Sequence, residues 1–281
     1  MLKITDIYNL KDIYNFHMSF ETPYFFKADF DFWKKSFEDD IDGEGRTLFK
    51  ELKVKVVYEN DELVGFVQYG KTAFGFDESG DISSEVSYSV IRNLYFVKER
   101  AEVGVLLLNN AMESLGANEK IYAFFHYFGM SCFARNGKLF EKHAHIDALL
   151  KENGFEIEHE NVYYSSTFKD GQNSEVTIIA NDLTKGNQQY IDFKIDDNQV
   201  GGCEVHYLSE STAYLRWIYV NSDMVGKGIG SKCMNALKYF LYEKGIKRFD
   251  TDTALNNIVA QHYYEINGFL REGIMRSYYK F

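Results

Sequence analysis

Gly226, Gly228 and Gly230 stand on alternate positions, with Lys227 between the first two and Val225 and Ser231 at either side, and this is the stretch best suited to chemistry. Without Cβ atoms the backbone there approaches a ligand closely. Its flanks indicate which ligand. Tyr214, Leu215, Arg216, Trp217, Ile218, Tyr219 and Val220 are dense in β-branched and aromatic side chains and read as a strand. After the glycines, Cys233, Leu237, Phe240 and Leu241 recur at helical spacing, and Gly245 supplies the stop. Strand, glycine turn and helix together hold phosphate. The first helical turn has N–H groups with no partner, the dipole adds positive potential, and Lys227 adds a mobile cation.

Two nucleotide readings fail on spacing. A Walker loop needs Ser or Thr after its lysine, and Lys227 is followed by Gly228. A dinucleotide fingerprint needs its third glycine one residue beyond Gly230 and a βαβ unit around it, whereas the preceding strands read as hairpins. Downstream of a strand over 248–253 come Asn257, Ala260, Tyr264, Gly268 and Phe269. A helix at this spacing places Asn257, Ala260 and Tyr264 on one side and Gly268 at its C′ position. Tyrosines on amphipathic helices are more often core than catalytic, so the spacing to Gly268 is what singles out Tyr264. Glu204, on the strand after Gly201 and Gly202, offers a general base toward an amine; Asp252 is its rival, and a solvated strand face is the plain alternative.

Residues 218–269, taken together, resemble the acyl-coenzyme A half of the GNAT superfamily of N-acetyltransferases. The family's loop reads Arg or Gln, two residues, Gly, one residue, Gly or Ala. Gly228 and Gly230 match it, and Val225 departs from it at the first position. The resemblance implies acetyl-coenzyme A as acyl donor. It also implies donor contacts from the main chain of Ile218 and Val220, from Val225, Gly226, Lys227, Gly228, Gly230 and Ser231, and from Asn257 and Tyr264. Tyr264 would serve the departing sulfur, and a primary amine of an unidentified acceptor would attack directly, with no metal and no covalent acyl-enzyme. The alternative is a non-catalytic acyl-coenzyme A sensor or interaction module.

The whole chain fits that frame. With 281 residues, 45% of them hydrophobic, it has enough apolar surface for two medium domains. A net charge of −11 argues against nucleic acid and suits an amine-bearing acceptor, small molecule or peptide. Cys132, Cys203 and Cys233 are scattered and odd in number, which points to a reducing cytoplasm without disulfides. No signal peptide is expected, and no apolar run approaches the roughly 20 residues of a membrane span. His143, His145 and His159 lack metal-site spacing, so no metal is expected. The expected assembly is a monomer or homodimer.

Landmarks recur along the chain. Val64 and Gly65 return as Val200 and Gly201, Ile91 to Tyr95 as Leu215 to Tyr219, and Asn153, Gly154, Phe155 as Asn267, Gly268, Phe269. This internal duplication predicts a fold of class α+β (α/β): two GNAT-like units in tandem, each a mixed, mostly antiparallel twisted sheet flanked by helices. Expected boundaries are 1–168 for a degenerate first domain and 175–281 for the domain with the acyl-coenzyme A site, joined by a polar linker at 169–174. The copies differ chemically. The shared register sets Glu102, Gly104 and Leu106 opposite Gly226, Gly228 and Gly230, with a helix expected from about Gly104 to Leu115, and it sets His143 and Leu150 opposite Asn257 and Tyr264. The second copy, for its part, has only residues 175–189 ahead of its hairpin, against more than fifty in the first.

Overall fold

A computed structural model describes residues 2–23, 28–38, 41–42, 44–116, 120–133, 137–167, 175–184 and 186–281. The expected linker at 169–174 lies outside them. The first copy comprises β1 (Lys3–Thr5), α1 (Leu10–Met18), α2 (Phe30–Glu38), β2 (Phe49–Glu59), β3 (Glu62–Thr72), β4 (Gly75–Phe76), β5 (Ile82–Ser83), β6 (Ser89–Phe96), α3 (Ala101–Leu115), β7 (Ile121–Ala123), β8 (Leu139–Phe140), α4 (Ala144–Glu152) and β9 (Glu156–Thr167). The second comprises β10 (Thr177–Ala180), β11 (Gln188–Ile195), β12 (Asn198–Ser209), β13 (Thr212–Val220), α5 (Ile229–Glu243), β14 (Arg248–Ala254), α6 (Ile258–Ile266) and β15 (Leu270–Lys280).

In space the chain forms two compact units: Met1–Asp42, Arg46–Glu160 and Met275–Phe281 make one, and Gly43–Gly45 with Asn161–Ile274 make the other. The covalent halves thus each lend strand to the other unit. Residues 161–167 of β9 pair antiparallel with β14 in the second unit, from Asn161↔Ala254 to Thr167↔Arg248. The last part of β15 pairs antiparallel with β7 in the first, Tyr278 opposite Ala123.

The duplication survives at the level of hydrogen-bond register. In the β3–β6 hairpin Gln68 pairs with Asn93 and Tyr69 with Ile91, leaving Arg92 as the extra residue of a bulge. In the β12–β13 hairpin Glu204 pairs with Trp217 and Val205 with Leu215, and Arg216 is the extra residue. A bulge bends its strand and raises the local twist. Each parallel neighbour lets go there: β6–β7 pairing ends at Ile91↔Ala123, and β13–β14 pairing at Leu215↔Thr251. The bulge therefore opens a wedge between two parallel strands of each unit.

In the second unit both helices cover one sheet face. Cys233, Met234, Leu237 and Leu241 of α5 and Tyr264 of α6 join Cys203, Val205, Leu215, Phe249 and Phe269 in one apolar cluster. Period-two alternation puts Tyr190, Glu204, Tyr214, Trp217, Tyr219, Asp250 and Asp252 on the opposite face. A half-buried lysine ties α5 to the end of α6: Lys238 Nζ donates to Asn267 O at 2.6 Å and to Ser166 Oγ at 3.0 Å. Positive charge is favoured beside the last carbonyls of a helix, yet burial pulls the Lys238 ammonium down to about 8. The unfolded chain then binds more protons than the fold between about pH 8 and the ordinary lysine value near 10.4, so this group makes stability rise with pH across that window. Thermal melts of wild type and Lys238→Met should show the wild type gaining relative stability from pH 8 to pH 10.

Candidate active site

The wedge in the second unit is open and the one in the first is closed. Beyond the bulge, residues 216–220 of β13 are exposed or half-buried, whereas all eight residues of β6 are buried. Direction along the open edge follows from one bond. The Asn221 N–H donates to Val200 O at 2.8 Å, so the alternate main-chain groups of Tyr219 and Trp217 face β12, and those of Ile218 and Val220 face the unpaired edge. An extended ligand arm can add there as a strand does, through its amides. In the first unit the Phe124 N–H closes onto Ile91 O at 2.9 Å, and the buried Arg92 guanidinium donates to Ser36 O and Gly129 O at 3.1 and 2.7 Å.

The glycine turn sits where the open edge meets α5. Gly226 and Gly228 have φ of 77° and 75°, a left-handed backbone, and a Cβ on either meets no heavy atom within 4 Å. Gly228 is the N-cap of α5, with no side chain capping it and no acid in the first turn. The N–H groups of Ile229, Gly230 and Ser231 have no carbonyl four residues back to bond. Lys227 and Val225 are exposed beside them. This is an anion cradle open to solvent. Gly230 has a packing role besides its N–H: a Cβ there stands 3.1 Å from the Tyr263 ring, and the Tyr263 hydroxyl donates to Gly230 O at 2.8 Å. This glycine lets α6 pack on α5.

The corresponding helix of the first unit begins earlier than expected. α3 starts at Ala101, so Gly104 lies inside it under the Phe96 ring, and Glu102 occupies the first turn. One further turn of helix and a carboxylate fill the place of the cradle, because Glu102 stabilises the N-terminus that it extends.

Asn257 caps α6, its Oδ1 accepting from the Ala260 N–H at 3.2 Å. Tyr264 is 6% exposed and lies in the cluster against which Ile218 and Val220 also pack. Its ring neighbours are Tyr263, Phe269 and Tyr164, at 5.6, 5.6 and 5.8 Å between centroids. Glu204 is 3% exposed. Arg216 Nη1 donates to its Oε1 at 2.7 Å and Trp217 Nε1 to its Oε2 at 2.8 Å, so its charge is already matched by a cation on the far strand of the hairpin. Asp252 is the first residue of β14 past the last β13 pair, which places it on the rim of the wedge. It accepts from the Tyr214 hydroxyl and the Asn161 amide, both neutral donors. Nothing in the spacing of Asn161 or Tyr214 announces this pairing, since Asn161 reaches it only through β9. Beside it, burial raises Asp250 to about 6 against the pull of Arg248, and burial holds His206 down at about 4.

Residues 155–269 match the model of the acetyltransferase (GNAT) family. The whole chain shares the tandem GNAT fold. A tandem GNAT protein from the clavulanic acid biosynthesis pathway matches with a TM-score of 0.66 at 9% identity, over 99% of this chain and 98% of its own. A GCN5-related N-acetyltransferase from Sphaerobacter thermophilus gives 0.64 at 9% identity, over 99% and 95%. The structure of a fungal multi-domain GH3 β-N-acetylglucosaminidase, which contains a GCN5-related glucosamine N-acetyltransferase region, gives 0.65 at 12% identity; this chain spans 38% of it. At such identities the likeness establishes the fold. No match was found among curated protein sequences. The matched segment, residues 155–269, holds the open wedge, the glycine cradle and Tyr264 together. Among the described residues no group of His, Cys, Asp and Glu is arranged to hold a metal, and no helix is long and apolar enough to cross a membrane.

Proposed function

We propose that the protein transfers an acetyl group from acetyl-coenzyme A to a primary amine, and that the second unit alone carries the chemistry. The observation behind this is the asymmetry between the copies: one bulge leads to an exposed strand edge and an uncapped helix N-terminus, the other to a buried strand and an acid-filled one. The residues fit the donor. The N–H groups of Gly228 to Ser231 and the Lys227 ammonium match a pyrophosphate, and the open positions of Gly226 and Gly228 let it reach them. Ile218 and Val220 offer main-chain partners to the pantetheine arm. Val225, in place of a longer polar side chain, leaves phosphate recognition to the backbone.

In the chemical step the amine nitrogen attacks the thioester carbonyl carbon; a C–N bond forms and the C–S bond breaks. The amine must be neutral to attack, and Asp252 on the wedge rim is the group we assign to take its proton. Tyr264 gives its hydroxyl proton to the departing sulfur, and solvent returns the proton from Asp252 to Tyr264. Orientation supplies much of the rate, because both reactants are held on one rigid sheet.

The test is thiol release from acetyl-coenzyme A across a panel of primary amines, with titration calorimetry alongside. Calorimetry should return one coenzyme A per chain, and Leu106→Gly should not create a second site, since Glu102 still fills the first turn of α3. Two sites in the wild type would overturn the assignment of chemistry to one unit.

A further inference from the structure

Tyr190, Trp217 and Tyr219 stand on the sheet face opposite α5 and α6, and they are 44%, 40% and 47% exposed. Trp217 is the middle of the three, its ring centroid 6.0 Å from each of the others. A cluster of large exposed rings is uncommon on a soluble protein's surface and marks recognition. These rings are also held in place. The Trp217 indole N–H is fixed on Glu204, whose other oxygen is fixed by Arg216. Tyr219 lies across Gly202, where a Cβ would stand 3.1 Å from its Cε1, so the glycine is the seat of the ring. Asp192 pairs with Gly202 in the same row; its Oδ1 accepts from Gln199 Nε2 at 2.8 Å.

The chemistry of this platform favours a cation. Indole is the aromatic ring that attracts cations best, and a carboxylate accepting its N–H pushes electron density into it. Glu204 and Asp192 are built into the platform, Arg216 offsets the first of them, and the protein carries a net −11. Alternation along β13 connects the platform to the reaction, because Ile218 and Val220 turn main chain to the wedge while Trp217 and Tyr219 turn side chains to this face.

Resting on the acetyl-transfer reading above, we infer that the acceptor is a small diamine or polyamine, one ammonium of which docks on Tyr190, Trp217 and Tyr219 while another amine, deprotonated, faces the thioester. A mono-amine cannot serve both places at once: the platform selects the charged form and the attack requires the neutral one.

The protein has two tryptophans, and Trp33 is fully buried out of a ligand's reach, so the ligand-dependent part of the emission is expected from Trp217. Titrating the full chain with 1,5-diaminopentane should change that emission saturably, whereas 1,5-pentanediol and N-acetylglucosamine should not. Trp217→Phe should weaken the diamine ~3-fold and Trp217→Leu ~5- to 30-fold, read by calorimetry, since an aliphatic side chain keeps apolar area and loses the ring face. Both variants should keep the wild-type rise in melting temperature with coenzyme A. An unsaturable response to the diamine, an equal response to the sugar, or equal affinity in Trp217→Leu overturns the inference while leaving the donor site standing. Loss of the coenzyme A response in the wild type overturns the acetyl-transfer reading itself.

Discussion

Tyr264→Phe is expected to lower kcat for amine acetylation by roughly 10²- to 10⁴-fold, the span usual for a general acid, with little change in affinity for acetyl-coenzyme A. The substitution deletes one oxygen and keeps the ring, so the contacts with Tyr164, Tyr263 and Phe269 stay and the fold is retained. A proton given to the leaving sulfur is worth nothing in the ground state, which is why the loss belongs to kcat and not to binding. The deficit should shrink with a thioester whose thiol leaves more readily, because a good leaving group needs the proton less. Equal turnover in the variant removes Tyr264 from the mechanism. If no amine gives turnover in the wild type while coenzyme A still binds, the protein is an acyl-coenzyme A sensor.

Gly228→Asp should abolish the thermal stabilisation by coenzyme A without unfolding the protein. A ligand at one hundred times its Kd adds about 2.7 kcal/mol to stability, a shift of a few degrees that differential scanning resolves. The substitution is informative because its structural consequences oppose its functional one. Gly228 is in the left-handed region with open space around it, so Asp costs about 1–2 kcal/mol in backbone conformation. The same carboxylate at the N-terminus of α5 interacts well with its dipole, returning up to about 1 kcal/mol. Stability therefore stays near the wild type while a negative charge sits where the pyrophosphate would. An unchanged coenzyme A shift in Gly228→Asp removes the cradle from the donor site.

Much of this arrangement is legible in the sequence because it is local. The strand before the glycines, the αL turn, the α5 stripe and the Asn257-to-Phe269 spacing all lie within a few turns of chain, where periodicity and turn chemistry speak directly. The repeat carries the degenerate half as well, since Glu102 and Leu106 are readable against Gly226 and Gly230. What escapes is non-local. The Asn161 bond to Asp252 depends on β9 crossing into the second unit, the Tyr214 bond depends on the parallel register of β13 and β14, and no pattern within β9 encodes its partner. Glu204 reads as a base in sequence because its ion pair with Arg216 comes from strand register, which a bulge shifts by one residue. That the missing Cβ of Gly230 also seats the Tyr263 ring is hidden in the sequence, because a glycine required by a ring looks the same as one required by a phosphate.

The exchanged strands set a timetable for synthesis. The first unit holds all of its helices and most of its sheet by Glu160, yet the strand that pairs with β7 is part of residues 275–281. Domains ordinarily fold in the order in which they leave the ribosome. Here the earlier-made unit must wait with β7 unpaired along one edge while the later one is translated, and exposed edges are where foreign strands add. The nascent chain is thus most exposed to mispairing and chaperone capture late in translation, and a chain ending before residue 275 would lack the closing strand of the unit made first.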